Sequence, residues 1–277
     1  MLGGQIRFRW LGVGGIELSS DEEVVAVDPF FSRPPFRRVW FGRVVPDRSL
    51  VAARLPRCDF VLLTHSYWDH LMDVPEVVRS TGALALGSRN SCRLLSILGV
   101  AGEQLHWIHA NDDLPLGAFR VQVMEASQGT VLDRPIFSDL LPNDLRPSLQ
   151  VRDYRRDVNF SFLINAGGYR MLLWNSENPE AATRAELLLV GPQRKRGYYD
   201  ALMRQVRPHV VIPIHWDDLF RPMFSPVHPM FASLAPTVPT SRPLNLAEFK
   251  HTLHQVAPTA KLFLPDVFRS YSLDHLA

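Results

Sequence analysis

Thr64-His65-Ser66-Tyr67-Trp68-Asp69-His70 follows directly on the apolar run Phe60-Val61-Leu62-Leu63. The run is short and unbroken, as expected of a strand buried on both faces. It opens into two imidazoles and a carboxylate, which places His65, Asp69 and His70 on one loop at a rigid strand end, where ligands are well presented. A second apolar run, Val210-Val211-Ile212-Pro213-Ile214, also ends in a histidine, His215. If the two strands lie in one sheet, Asp69, His70 and His215 converge. One carboxylate oxygen and two imidazole nitrogens form a three-ligand set for catalytic zinc, with a position left for water. Iron held by two histidines and a carboxylate gives the same pattern. The plain alternative at each position is a hydrogen-bonded histidine that binds no metal. His106, His109, His209, His228, His251, His254 and His275 have no comparable partner in sequence.

Outward from these strands, period-two alternation over Ile6–Trp10 and Ile16–Leu18, joined by Leu11-Gly12-Val13-Gly14-Gly15, predicts two strands and a glycine turn. No helix opens after the glycines, so they do not form a dinucleotide fingerprint. Val24–Val27 predicts a strand that stops at Asp28-Pro29. Ser32 to Pro46 predicts an irregular loop. Asp73 is expected to cap a short helix, and Ser91–Leu98 a helix halted by Gly99. Further strands are expected at Ala83–Leu86 and Phe119–Met124, and a hairpin over Asn159–Ile164 and Tyr169–Trp174. Helices are expected at Tyr198–Val206 and Asn245–Val256, and Leu262–Leu264 is expected to close the chain. Asp133 to Asp153 has little periodicity and predicts a functional loop or lid. Phe220, Phe224 and Phe231, set among prolines, suggest an ordered loop over the site. Strands and helices mix through both halves, which favours sheets covered by outer helices.

The chain has 277 residues, 46% hydrophobic and 21% charged. It is long enough for a large core and is expected to fold as one domain over 1–277. No run reaches the roughly 20 apolar residues of a membrane span. The first ten residues read as a strand rather than a signal peptide. Cys58 and Cys92 are the only cysteines, too few for a disulfide framework, so a cytoplasmic location is expected. A net charge of +2 argues against nucleic-acid binding. Lys195, Lys250 and Lys261 are the only lysines. The arginines group at Arg33, Arg37, Arg38, Arg43 and Arg48, and again at Arg152, Arg155 and Arg156. Such groups are either a solvated surface or planar forks for an anionic substrate.

These residues resemble the metallo-β-lactamase superfamily, in particular its lactonase-like and phospholipase D-like branch. The resemblance runs through the opening strands and Asp28-Pro29-Phe30, through Thr64–His70 against a Thr-His-x-His-x-Asp-His motif, through Gly87–Gly99 and Tyr169–Asn175, to Pro213-Ile214-His215-Trp216. It implies an α/β fold, an αββα sandwich of two mixed sheets flanked by helices, with metal held at one edge between the sheets. It places His65, Asp69, His70 and His215 on ligand positions. It also implies losses. Tyr67 stands where the motif has its second histidine, Gln128 on the next histidine position, and Ser176 where a bridging aspartate belongs. The first metal site then keeps only His65, while the second keeps Asp69, His70 and His215.

A neutral phenol and an amide oxygen are poor zinc ligands, so one divalent ion is expected, zinc first and iron or manganese as alternatives. The expected function is hydrolysis of an ester, lactone, amide or phosphodiester on a small-molecule substrate by activated water. Asp69 would bind metal and orient the water, Tyr67 would donate to the oxyanion, and His65 would be a fourth ligand or an acid/base. Glu177, one residue past the lost bridge, is a substitute carboxylate. The alternatives are a non-hydrolytic metalloenzyme (a lyase, an isomerase or an oxygen-dependent enzyme) in a biosynthetic pathway, or a metal-free binding or regulatory relative.

Overall fold

The structure is a computed structural model that describes residues 5–127, 140–223, 226–230 and 243–276. Its first sheet contains β1 (Arg7–Gly12), β2 (Gly15–Ser19), β3 (Val24–Val27), β4 (Phe60–Leu62), β5 (Leu84–Gly87), β6 (Leu105–Trp107) and, from the far end of the chain, β14 (Ser270–Ser272). Their order is β14-β1-β2-β3-β4-β5-β6. Neighbours run antiparallel up to β3 and parallel from β3 to β6. The second sheet holds β7 (Asp113–Leu116), β8 (Phe119–Glu125), β9 (Phe160–Ala166), β10 (Tyr169–Trp174), β11 (Leu187–Val190), β12 (Val210–Pro213) and β13 (Lys261–Leu262), in reverse order from β13 to β7. Here β10 to β13 are parallel and β7 to β10 antiparallel.

Alternation along the strands sorts side chains into layers. Phe8, Trp10, Ile16, Leu18, Val25 and Val27 meet Val121, Val123, Phe160, Phe162 and Ile164 in the core between the sheets. The opposite faces are covered by helices. On the first sheet, Val61 and Leu63 pack with Val51 of α2 (Arg48–Arg54), Val77 of α4 (Val74–Thr81) and Leu94 of α5 (Arg89–Ile97). On the second, Leu172, Leu188 and Val211 pack with Leu202 and Val206 of α6 (Arg196–Val206) and with Phe249 and Leu253 of α7 (Leu246–Val256). The expected αββα sandwich is therefore observed. In β4, Val61 faces one layer and Leu62 the other, which is why that run is continuously apolar.

Several local expectations are corrected. Ser32 to Pro46 carries a short helix, α1 (Phe36–Phe41), which buries no residue and so shows no apolar period. Asp69 and His70 lie in a four-residue helix, α3 (Trp68–Leu71), rather than in a loop. The chain does not close at Leu264: β14 follows, then α8 (Leu273–Leu276). The two histidine-tipped strands, β4 and β12, lie in different sheets. Cys58 and Cys92 are free and buried, and burial pushes both thiols up to about 12. No described helix is long and apolar enough to cross a membrane.

Asp73 precedes α4 but makes no capping bond. Its Oδ2 instead accepts the backbone N–H groups of Phe31 (2.6 Å) and Ser32 (2.7 Å), while Oδ1 has no partner. It thereby ties the segment after β3 to α4. Asp73→Ala strands two buried donors and is expected to lower the unfolding free energy by roughly 3 kcal/mol in urea melts at pH 7. Asp73→Asn keeps an acceptor and should lose less than half of that. Burial raises the Asp73 carboxyl to about 6 against the opposing backbone and Ser32 hydrogen bonds. Folding thus favours the protonated form. That contribution is fully present below the ordinary value near about 4 and is lost as pH rises through about 6. Relative to Asp73→Asn, the wild-type protein should lose stability across that window.

Candidate metal centre

The site forms where the carboxyl ends of parallel strands from both sheets meet at one edge. β3 delivers Asp28, β4 delivers Thr64 and His65, α3 carries Asp69 and His70, and β12 ends just before His215. The β1–β2 turn closes the edge. A Cβ added at Gly14 would lie 3.2 Å from His70 Cε1, so this turn packs its smallest residue on that imidazole.

Three residues here hold φ in the left-handed region that side chains avoid: Val13 (46°), Asp28 (44°) and His215 (56°). A buried scaffold holds them in place. His215 N–H donates to Val13 O (2.7 Å), and Val13 N–H donates to Asp217 Oδ1 (2.8 Å). Asp217 Oδ2 takes the Arg33 guanidinium at 2.8 Å, with both side chains 2% exposed. Arg33 is therefore occupied by a structural ion pair and is not free for a substrate. Strain held by a fixed network is a feature of functional sites.

Asp28 is the hub of a hydrogen-bond relay. Its Oδ1 accepts the Thr64 N–H (2.9 Å), and its Oδ2 accepts both the Thr64 hydroxyl (2.5 Å) and His70 Nδ1–H (2.8 Å). The Thr64 proton is thus committed to Asp28, so Thr64 Oγ1 accepts from His65 Nδ1–H at 2.8 Å. These bonds fix both tautomers, and they leave the Nε2 lone pairs of His65 and His70 available. Asp28 and Thr64 were missed as site residues from sequence. The signal was an ionisable residue at the tip of a fully apolar strand.

Asp69 Oδ2 lies 3.6 Å from His70 Nε2 and 3.4 Å from His215 Nε2. A tetrahedral ion with bonds of ~2.1 Å separates its ligands by about 3.4 Å, so the spacing fits. Ligand atoms of Asp69, His70 and His215 all fall within 4.8 Å of one another, and so do those of Asp28, His65 and His70. The first set is the better site, because the Asp28 oxygens are already spent on three donors. Burial opposes ionisation of Asp69, but His70 and His215 outweigh it and hold the carboxyl well below the usual range. Burial also opposes charge on His70, but Asp28 and then Asp69 raise it. His65 is held well below the ordinary histidine value by burial and the neighbouring His70, and so is neutral. Burial raises the Tyr67 phenol against the lowering effect of Arg156, so it keeps its proton. Its ring stands edge-on to His65 at 4.7 Å.

The structure places the remaining expected residues as follows. The Ser176 hydroxyl, 2% exposed, accepts Ser127 N–H (2.9 Å) and Asn178 N–H (3.2 Å), which makes it a clamp. The Glu177 carboxylate is 2.6 Å from Arg194 and belongs to neither ligand group. Gln128, Phe224, Phe231 and residues 133–139 of the expected lid lie outside the described residues. Phe220 packs edge-on against Phe36 at 5.3 Å. A cavity of about 380 Å³ opens on His70 and His215 and is lined by Asn175, Gln193, Arg194 and Tyr198. A second, of about 450 Å³, reaches Asp69 between Phe36, Trp40, Trp68 and Phe220.

Two helix-covered mixed sheets, with histidine and aspartate clustered along one edge of the sandwich, are the metallo-β-lactamase fold, and this chain has that fold. Igni18, a metallo hydrolase from Ignicoccus hospitalis, is similar over 96% of this chain and 97% of its own, with a TM-score of 0.59 at 14% identity. The metallo-β-lactamase fold protein YhfI from Bacillus subtilis is similar over 96% and 99%, with a TM-score of 0.58 at 9% identity. In sequence, a UPF0173 metal-dependent hydrolase of Methylocella silvestris is 29% identical over 123 residues, 44% of this chain and 48% of that protein. The chain thus spans about half the length of the curated relatives it matches. No family model matches.

Proposed function

We propose that this chain is a hydrolase that uses one divalent metal ion, zinc first, held by Asp69, His70 and His215. The observation that carries the proposal is the convergence of Asp69 Oδ2 with two Nε2 atoms at 3.4 and 3.6 Å, with His70 oriented from behind by Asp28. A carboxylate behind a histidine fixes the tautomer and raises its basicity as a ligand. The metal-dependent hydrolases among its relatives support the reaction class. When bound, the metal supplies the Lewis acidity that makes water a nucleophile near neutral pH.

The protein's own groups then have distinct tasks. Asp69 carries the negative charge that attracts the ion and accepts a hydrogen bond from water. His65 is neutral with a free Nε2, suited to a fourth ligand or a proton acceptor rather than to a general acid. Tyr67 retains its phenolic proton and serves as a hydrogen-bond donor to a developing oxyanion. One metal suffices because the other candidate group spends its carboxylate, Asp28, on orienting His70.

The test is hydrolysis of a panel of aryl esters, lactones and phosphodiesters before and after chelation. Activity should vanish with chelator and return fully at one equivalent of zinc. Hydrolysis that survives exhaustive chelation would remove this reading. The folded protein raises the His70 proton affinity, and metal must displace that proton. Zinc affinity should therefore fall as pH drops through the His70 titration, and binding should release a proton, seen by calorimetry in buffers of different ionisation enthalpy.

A further inference from the structure

Arg156 is 7% exposed, and its Nε has no hydrogen-bond partner. Its one contact of note is the Tyr67 ring, which lies 4.9 Å below the guanidinium carbon. Among the described residues no carboxylate pairs with it. The nearby Glu177 is taken by Arg194. The other deeply buried guanidinium, Arg33, is paired with Asp217 at 2.8 Å, which is how this fold treats a structural arginine. An unpaired buried charge is costly, and an anionic ligand would offset that cost.

Its placement is fixed from behind. The carbonyl of Arg155 accepts from Ser66 Oγ (2.5 Å), within the histidine-bearing segment, and from Asn90 Nδ2 (2.9 Å) of α5. The guanidinium is thereby held beside Tyr67, close enough for its charge to act on His65 and His70. A planar, charged fork whose Nε–H lacks a partner matches the oxygens of a carboxylate or a phosphate.

We propose that Arg156 binds an anionic group of the substrate, a carboxylate or a phosphate, and holds it against the Asp69–His70–His215 set. This deepens the hydrolase reading and rests on it for the identity of the site.

The test titrates inorganic phosphate, and separately acetate, into metal-free wild-type protein, Arg156→Lys and Arg156→Met, with calorimetry and thermal melting as readouts. Wild type should bind one anion saturably and melt higher with it. Arg156→Met should bind roughly 10- to 100-fold more weakly, with Arg156→Lys between the two. Without anion, Arg156→Met should melt no lower than wild type, because it removes an unpaired buried charge. The stronger of the two probes identifies the group. Equal anion affinity in wild type and Arg156→Met, no saturable binding by wild type, or a lower anion-free melting temperature in Arg156→Met would each overturn the assignment. Because the titration uses metal-free protein, its failure is separate from a failure of the metal reading, which zinc content decides.

Discussion

Asp69→Ala should leave a folded protein that retains less than about a tenth of an equivalent of zinc after gel filtration, with hydrolysis reduced by about 1000-fold or more. The reason is geometric. Asp69 Oδ2 is the one atom that faces both His70 Nε2 and His215 Nε2. Removing it leaves two imidazoles without the charge that offsets a divalent ion. It also removes one of the two carboxylates that raise His70. Elemental analysis measures the loss, and circular dichroism checks the fold. Full metal retention would move the site away from Asp69.

Asp28→Asn is expected to weaken zinc binding by about 10- to 100-fold although Asp28 lies outside the proposed ligand set. Three donors converge on Asp28: Thr64 N–H, the Thr64 hydroxyl and His70 Nδ1–H. An amide of the same shape offers oxygen on one side only. With its oxygen toward His70, its amino group faces the Thr64 N–H. With its oxygen toward Thr64 N–H, its amino group faces His70 Nδ1 and forces the proton onto Nε2, the atom proposed to bind the metal. Zinc titrations against a competing chelator read the loss. Unchanged affinity would mean that the relay does not set the His70 tautomer.

Parts of this architecture were plain in the sequence because they rest on local rules. The four apolar residues of β3 end at Asp28-Pro29 as expected, and β9 and β10 pair across Gly167 and Gly168. The α7 helix starts one residue after Asn245, whose side chain caps it. The elements that escaped lack such signals. α1 has no buried face, β6 is three largely exposed residues, and β14 is an edge strand whose partner is β1, more than 250 positions earlier. The candidate residues Asp69, His70 and His215 were legible, as they follow runs of buried strand residues, and the structure brings them together. How the set assembles was not legible. The sequence expectation places both strands in one sheet, whereas β4 and β12 belong to two sheets packed face to face. The relay through Thr64 and Asp28 joins residues 36 positions apart, and only the parallel pairing of β3 with β4 brings them together.

The arginines divide in the same physical way. Arg33 closes a buried pair that holds the turn under His215, and Arg48 reaches Glu76 at 3.0 Å from the surface. Arg33 is thereby not available to a ligand. Arg156 pairs with no carboxylate among the described residues and meets only the Tyr67 ring, at 4.9 Å.

The measurement that bears most directly on the proposed mononuclear centre is anomalous diffraction at the zinc edge from crystals of zinc-loaded protein. One peak is predicted, about 2.1 Å from Asp69 Oδ2, His70 Nε2 and His215 Nε2. Two peaks, a peak bonded to Asp28, or none at saturating zinc would contradict it.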